Sequence, residues 1–145
     1  MARFSTGLRN KMLDANPFRT VMALGNVKIY GGTEPANADA AIGAATLLTT
    51  VTVASGATGL SFAAAAVNGV IAKAVETWSG TNAASGTATF YRHVAVGDDG
   101  TLSTTQARIQ GNIATAGADM NLSNVALTAA ATQTIDSYSV ALPTL

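Results

Sequence analysis

The sequence predicts an all-β fold: a jelly-roll-like antiparallel β-sandwich of about eight strands with a short helical N-terminal arm. Three observations carry that prediction. Beyond Gly25 the apolar residues recur at period two in short segments rich in Val, Ile and Thr. Gly, Asn, Asp and Ser turns separate those segments. No segment is followed by the crossover helix that a parallel sheet needs. The chain divides into a basic arm, residues 1–25, and a sandwich domain, residues 26–145.

The arm reads as two short helices. Ser5 or Thr6 caps the first, and Leu8 and Met12 share one face. Asn16 caps the second, with Pro17 at its first helical position, Phe18, Val21 and Met22 at helical spacing, and Gly25 as the C′ residue. Both are too short to stand alone in water, so they must pack on something. Val27 and Ile29 then alternate with Lys28 and Tyr30 in a half-buried strand that Gly31-Gly32 ends. Residues 33–45 form a long loop and residues 46–54 a Thr/Val-rich strand. Asn68-Gly69 separates two apolar runs, 60–67 and 70–77. That pair tolerates the positive φ of a type I′ turn, so the runs form a hairpin.

Residues 80–86 are a loop of small residues. Residues 87–96 form a strand with Ala88, Phe90, Val94 and Val96 on one face; Arg92 shares that face as an anomaly, and His93 lies opposite. Gly97-Asp98-Asp99-Gly100 is a turn. Ala107, Ile109 and Ile113 alternate with Arg108, Gln110 and Asn112. Met120 with Leu122, and Val125 with Leu127, mark short strands. Residues 132–142 close the fold, with Tyr138, Val140 and Leu142 on one face and Pro143 after them.

Composition narrows the function. Charged residues are 11% of the 145, against about 25% in an ordinary soluble domain. Ala, Thr and Gly together make 64 residues, and cysteine is absent. Hydrophobic residues at 48% with zero net charge exclude a disordered chain. The lack of Cys excludes a disulfide scaffold and suits a reducing cytosol. No apolar stretch is long enough for a membrane span or a secretory signal. The zero net charge is uneven in position. Residues 1–28 hold five basic residues against Asp14 alone, a net +4, and residues 29–145 hold three against seven, a net −4. So few charges imply that much of the surface lies against other protein. The basic arm is the element expected to reach out, to an acidic neighbour or to the body of a sister subunit.

Catalytic patterns are missing. No Cys nucleophile exists, and the one histidine, His93, has no Ser or carboxylate partner marked by spacing; it reads as a surface or packing residue. Asp98-Asp99 lacks calcium-loop spacing and reads as a turn. No second His offers a zinc ligand. Gly56-Ala57-Thr58-Gly59 lacks the Lys of a phosphate loop, and Gly111 and Gly117 lack a dinucleotide-binding context. We therefore assign no catalytic residue, metal or cofactor. A net +4 over residues 1–28 is too weak a footprint for direct nucleic-acid binding. The candidate partner-binding residues are Arg3, Phe4, Arg9, Lys11, Phe18 and Arg19, where basic and aromatic side chains interleave.

Several stretches resemble a family of small tailed-bacteriophage virion proteins. They are Gly7-Leu8-Arg9-Asn10-Lys11-Met12-Leu13-Asp14; Ile29-Tyr30-Gly31-Gly32-Thr33-Glu34-Pro35-Ala36 running into Ala38-Asp39-Ala40-Ala41; Glu76-Thr77-Trp78-Ser79-Gly80; and Thr134-Ile135-Asp136-Ser137-Tyr138 into Leu142-Pro143. In size and style the chain is most similar to capsid cement, or decoration, proteins. The resemblance implies a jelly-roll-like subunit on the outside of an icosahedral head. It would bind major capsid protein and self-associate as a symmetric dimer or trimer. The rival expectation is a tail or fibre-associated adhesion module that binds host-surface glycan through exposed Trp78 or Tyr residues.

Overall fold

The computed structural model describes residues 1–142. The N-terminal segment contributes β1 (Arg3–Phe4), α1 (Thr6–Leu13) and α2 (Phe18–Val21). Then come β2 (Asn26–Gly31), β3 (Thr46–Val53), β4 (Val70–Ala72), β5 (Trp78–Thr81), β6 (Gly86–Thr87) and β7 (Phe90–Val94). The chain continues with β8 (Arg108–Ala114), β9 (Met120–Asn121), β10 (Ala126–Leu127), β11 (Thr132–Ile135) and β12 (Ser139–Ala141). Pro143 lies outside the described residues.

The fold is all-β and built on antiparallel pairing, as the sequence predicts. One sheet holds eight strands in the order β1-β8-β7-β2-β3-β5-β11, with β9 beside β8. The β8–β9 pairing is parallel. Two small ladders, β6–β10 and β4–β12, complete the strands. The Asn68-Gly69 hairpin and the segment before β12 carry Phe62 and Tyr138 over the sheet. There they meet Trp78, Tyr91 and His93 in an aromatic layer with ring centroids 5.3–6.4 Å apart. Val27, Ile29, Val51, Ile109, Leu60 and Leu122 extend this core.

The hairpin turn has the expected geometry: Asn68 has φ +51° and Gly69 φ +75°, and Val67 and Val70 exchange both backbone hydrogen bonds at 2.8 and 3.0 Å. Ser5 is the cap of α1. Its hydroxyl accepts from the Leu8 N–H at 3.1 Å and the Arg108 N–H at 2.9 Å and donates to the Gln106 carbonyl at 2.8 Å. That hydroxyl ties the helix start to β8.

Several expectations need correction. The arm does not reach away from the body. β1 pairs with β8, and Leu8 and Met22 are fully buried in the core, because short amphipathic helices are stable only when packed. Asn16 does not cap α2. Ala15 takes φ +76° and Pro17 becomes the N-cap, with no side-chain cap bond. The left-handed residue after α2 is Leu24, with φ +59°, and not Gly25. Gly25 is demanded instead by close approach, since a Cβ there would lie 2.1 Å from the Val94 carbonyl oxygen.

The loop expected over residues 80–86 starts too early: Gly80 and Thr81 belong to β5. A Cβ on Gly80 would lie 2.2 Å from the Thr50 carbonyl oxygen, so the glycine lets β5 approach β3 closely. The closing strand is two strands, β11 and β12, divided at residues 136–138. The alternation expected over residues 87–96 holds within β7, with Phe90, Arg92 and Val94 on one face and His93 on the other, but the His93 side is not a surface. β7 is buried on both faces, and the aromatic core lies on the Tyr91 and His93 side. Val96 is exposed.

Candidate functional site

The reverse face of the sheet explains the Arg92 anomaly. Arg92 and Gln110 are register partners on β7 and β8, with Arg108 paired to Val94 beside them; all three side chains are fully buried. The loop between β2 and β3 covers them. Gln110 accepts from Arg92 Nη2 at 2.5 Å and Nε at 3.2 Å. The other half of its amide donates to the Pro35 carbonyl at 2.7 Å and to Glu34 at 3.1 Å. Arg92 also donates to the Ala40 carbonyl at 2.9 Å. Arg108 forms a buried ion pair with Asp98. Burial, and then the neighbouring Arg108 charge, lower the pKa of Arg92, although a guanidinium stays charged in proteins.

Of the stretches that carry the virion-protein resemblance, the one running from β2 into the following loop covers this layer and is tied to the start of α1. Asp39 accepts from the backbone N–H and the hydroxyl of Thr6 at 2.8 and 2.7 Å, so the loop stretch caps the helix stretch. That carboxylate satisfies a donor that a helix start leaves open. Asn37 accepts from the Asp39 and Ala40 N–H groups. In the third stretch Glu76 accepts from the Ser61 N–H at 2.8 Å, the Ser61 hydroxyl at 2.9 Å and the Trp78 indole at 2.8 Å. Burial alone would raise the Glu76 pKa, but these three donors outweigh it and hold it below the usual value.

His93 lies at the centre of the aromatic layer and is fully buried. Its Nδ1 faces the Tyr138 hydroxyl at 3.3 Å, and its Nε2 has no partner among the described residues. Burial pushes its pKa down to about 3. It is a neutral packing residue, and among the described residues neither ring nitrogen is hydrogen-bonded to a Ser or a carboxylate. Asp98 and Asp99 stand in the expected turn, accepting from the Gly100 and Thr101 N–H groups. Among the described residues no cluster of His, Asp or Glu is arranged to hold a metal ion.

The six arm residues divide into pinned and exposed groups. Arg3 donates to the Ala36 carbonyl at 2.8 Å and lies 3.6 Å from Glu34. Phe4 stacks on Phe18 at 6.3 Å, and Phe18 meets Phe62 edge-on at 5.1 Å. Arg19 donates to the Ala64 carbonyl at 2.5 Å. Arg9 and Lys11 point from the exposed part of α1. Between the arm and the hairpin lies an apolar groove of about 350 Å³, lined by Met12, Phe18, Arg19, Ala65, Ile71 and Val140 among others. Trp78, Tyr30, Tyr91 and Tyr138 are all buried, so none of them forms an exposed sugar platform.

Sequence reading missed the polar layer, although Arg92 on an apolar face was its signal. Glu34, Asp39 and Gln110 gave no signal, because their partners lie far away in the chain. Comparison with protein-family models, curated proteins and solved structures finds no match to this chain.

Proposed function

We propose that the chain is a structural virion protein, a capsid cement or decoration subunit. It binds the outer surface of the icosahedral head and reinforces contacts between major capsid proteins, as a symmetric homo-oligomer. The observation that carries this reading is the groove beside the arm. It is apolar, Arg19 lies on its lining, and Lys11 and Arg9 are exposed on the adjoining helix. Such a surface fits a partner that offers an apolar segment flanked by acidic side chains.

Two further features support the reading. The groups that could do chemistry are committed to holding the fold: His93 to the aromatic layer, Asp98 to Arg108, Glu76 to Ser61 and Trp78. The low charge content suits a protein with much of its surface against neighbours. The rival glycan-binding reading needs exposed aromatic side chains at Trp78 or the tyrosines, and these are buried.

Deleting the arm is not a clean test, because it would strip Ser5 and Leu8 from the fold. The test is Arg9→Glu/Lys11→Glu/Arg19→Glu, with occupancy measured on purified heads at several salt concentrations. The reading expects many copies per head for the unaltered chain and sharply reduced retention for the variant, with unchanged circular dichroism. Normal occupancy of the variant overturns the arm's role. A handful of copies at one vertex or along the tail replaces the cement reading with the adhesion one.

A further inference from the structure

We propose that β11 is the docking edge for a second copy of this chain, and that two copies pair antiparallel through it across a two-fold axis at Gln133. The two ends of the large sheet are built differently. At one end β8 is covered by β1 along part of its length and by β9 along another. That end carries charge: the Met1 amino group lies 3.0 Å from Asp119, and Arg3 is pinned to the covering loop. Short strands and charges blunt an edge against further pairing. At the other end β11, Thr-Gln-Thr-Ile, has neither charge nor proline and, among the described residues, pairs with β5 on one side only.

The ladder fixes which backbone groups point outward. The Asn82 N–H donates to the Ala131 carbonyl at 2.9 Å. Alternation along an antiparallel pair then makes Gly80 with Gln133, and Trp78 with Ile135, the bonded pairs. Across β5, the Ala54 N–H donates to the Thr77 carbonyl at 2.8 Å, which by the same alternation turns Ser79 toward β3 and agrees with this phase. Thr132 and Thr134 therefore aim their N–H and C=O groups at the open edge. The Gln133 side-chain amide donates to the Thr134 carbonyl at 2.8 Å, where the N–H of an incoming strand would sit.

Self-pairing satisfies these groups. With Gln133 opposite the partner's Gln133, each Thr132 faces the partner's Thr134, and each such pair exchanges both N–H···O bonds. Asp136 then stands opposite the partner's Ala130, so no like charges face each other across the seam. This inference deepens the self-association in the proposed function and rests on it for the choice of a second copy as the occupant.

The chain has no cysteine, so Gln133→Cys places one thiol per copy at the axis. Opposed Cα atoms in a non-hydrogen-bonded pair are about 4.5 Å apart, within the about 4.4–6.8 Å that a disulfide spans. Mild oxidation of the purified full chain is expected to give a covalent dimer. Thr104→Cys, exposed elsewhere, serves as control and is expected to form no covalent dimer. Adding Thr134→Pro, which removes an outward N–H and no hydrogen bond to β5, is expected to abolish the cross-link and to leave a monomer in sedimentation equilibrium where the unaltered chain is a dimer. Should the proline variant not fold, Thr134→Lys blocks the seam with the backbone intact. The proposal is overturned if the unaltered chain stays monomeric at all concentrations, or if Gln133→Cys cross-links no faster than Thr104→Cys. Head occupancy is scored separately: retained head binding with no seam sinks this edge alone, and a seam with no head binding sinks the cement reading alone.

Discussion

Phe62 lies nearly parallel over His93, with ring centroids 5.5 Å apart and an interplanar angle of 18°. The imidazole is thereby used as an aromatic ring, and its neutral form is the one that fits. Tyr138 and Trp78 close the other sides, and Tyr91 packs on Tyr138. Burial raises the Tyr91 pKa to about 12 and that of Tyr138 well above its ordinary value, so both stay neutral. The nearby charges include Lys73, 5.6 Å over the Trp78 ring, Glu76, which accepts from the indole, and Asp119 and Glu34, which add to the rise at Tyr91.

The first prediction is an acid sensitivity carried by His93. Its pKa falls from 6.5 to about 3 on folding, so between those values the unfolded chain binds the extra proton. Stability is therefore complete above pH 6.5 and declines as the pH drops toward 3, by on the order of 5 kcal/mol over the whole window. Glu76, held below its usual pKa, loses its contribution only once the pH falls beneath the ordinary carboxylate range. His93→Phe keeps the stack and removes the titration. Urea midpoints at pH 7, 6 and 5 should fall for the unaltered chain and stay nearly level for the variant. Parallel slopes would show that another group carries the effect.

How much of this was legible in the sequence follows from the range of each interaction. The Ser5 cap, the Asn68-Gly69 turn and the β2 and β3 segments depend on residues a few positions apart, and each is present. β1, β5 and β6 escaped because they are short and their pairing comes from distant strands: Arg3 opposes Gln110, and Thr132 opposes Thr81. The basic arm was read as an outreaching element because charge is visible in sequence. Its anchors, Leu8 in the core and Asp39 at the helix start, are set by tertiary contact. Among the six arm residues, sequence placed Phe18 and Arg19 at what proves to be a groove, but could not show that Arg3 is tied to the chain's own Ala36.

The second prediction concerns Asp98 and Arg108. Both side chains are buried, Arg108 fully and Asp98 to within 1%, so removing one partner leaves an uncompensated charge in the interior. Breaking such a pair typically costs about 3–5 kcal/mol. Asp98→Asn should lower the stability of the chain by that order in chemical denaturation at pH 7. Asp99→Asn, at an exposed carboxylate 4.0 Å from Arg108, should leave it nearly unchanged, because solvent screens the pair. Equal effects from the two variants would mean that the turn, and not the ion pair, holds this corner.

The third prediction sets helix propensity against packing at Gly7. Inside α1, replacing glycine with alanine should help by roughly 1 kcal/mol through backbone entropy. The position is closed, however. A Cβ on Gly7 would lie 2.4 Å from the Thr105 carbonyl carbon and 2.5 Å from the Gln106 carbonyl oxygen. Both are backbone atoms next to the β8 strand that Ser5 binds, so neither can swing aside as a flexible side chain would. Overpacking of this kind costs about 1–3 kcal/mol or more, and moving the helix outward with its cap would stretch the two bonds that the Ser5 hydroxyl makes to Gln106 and Arg108. Sterics therefore win, and Gly7→Ala should lower the thermal midpoint. Asn10→Ala, exposed on the same helix, should hold or raise it. A higher midpoint for Gly7→Ala would mean that α1 is not seated against residues 105 and 106.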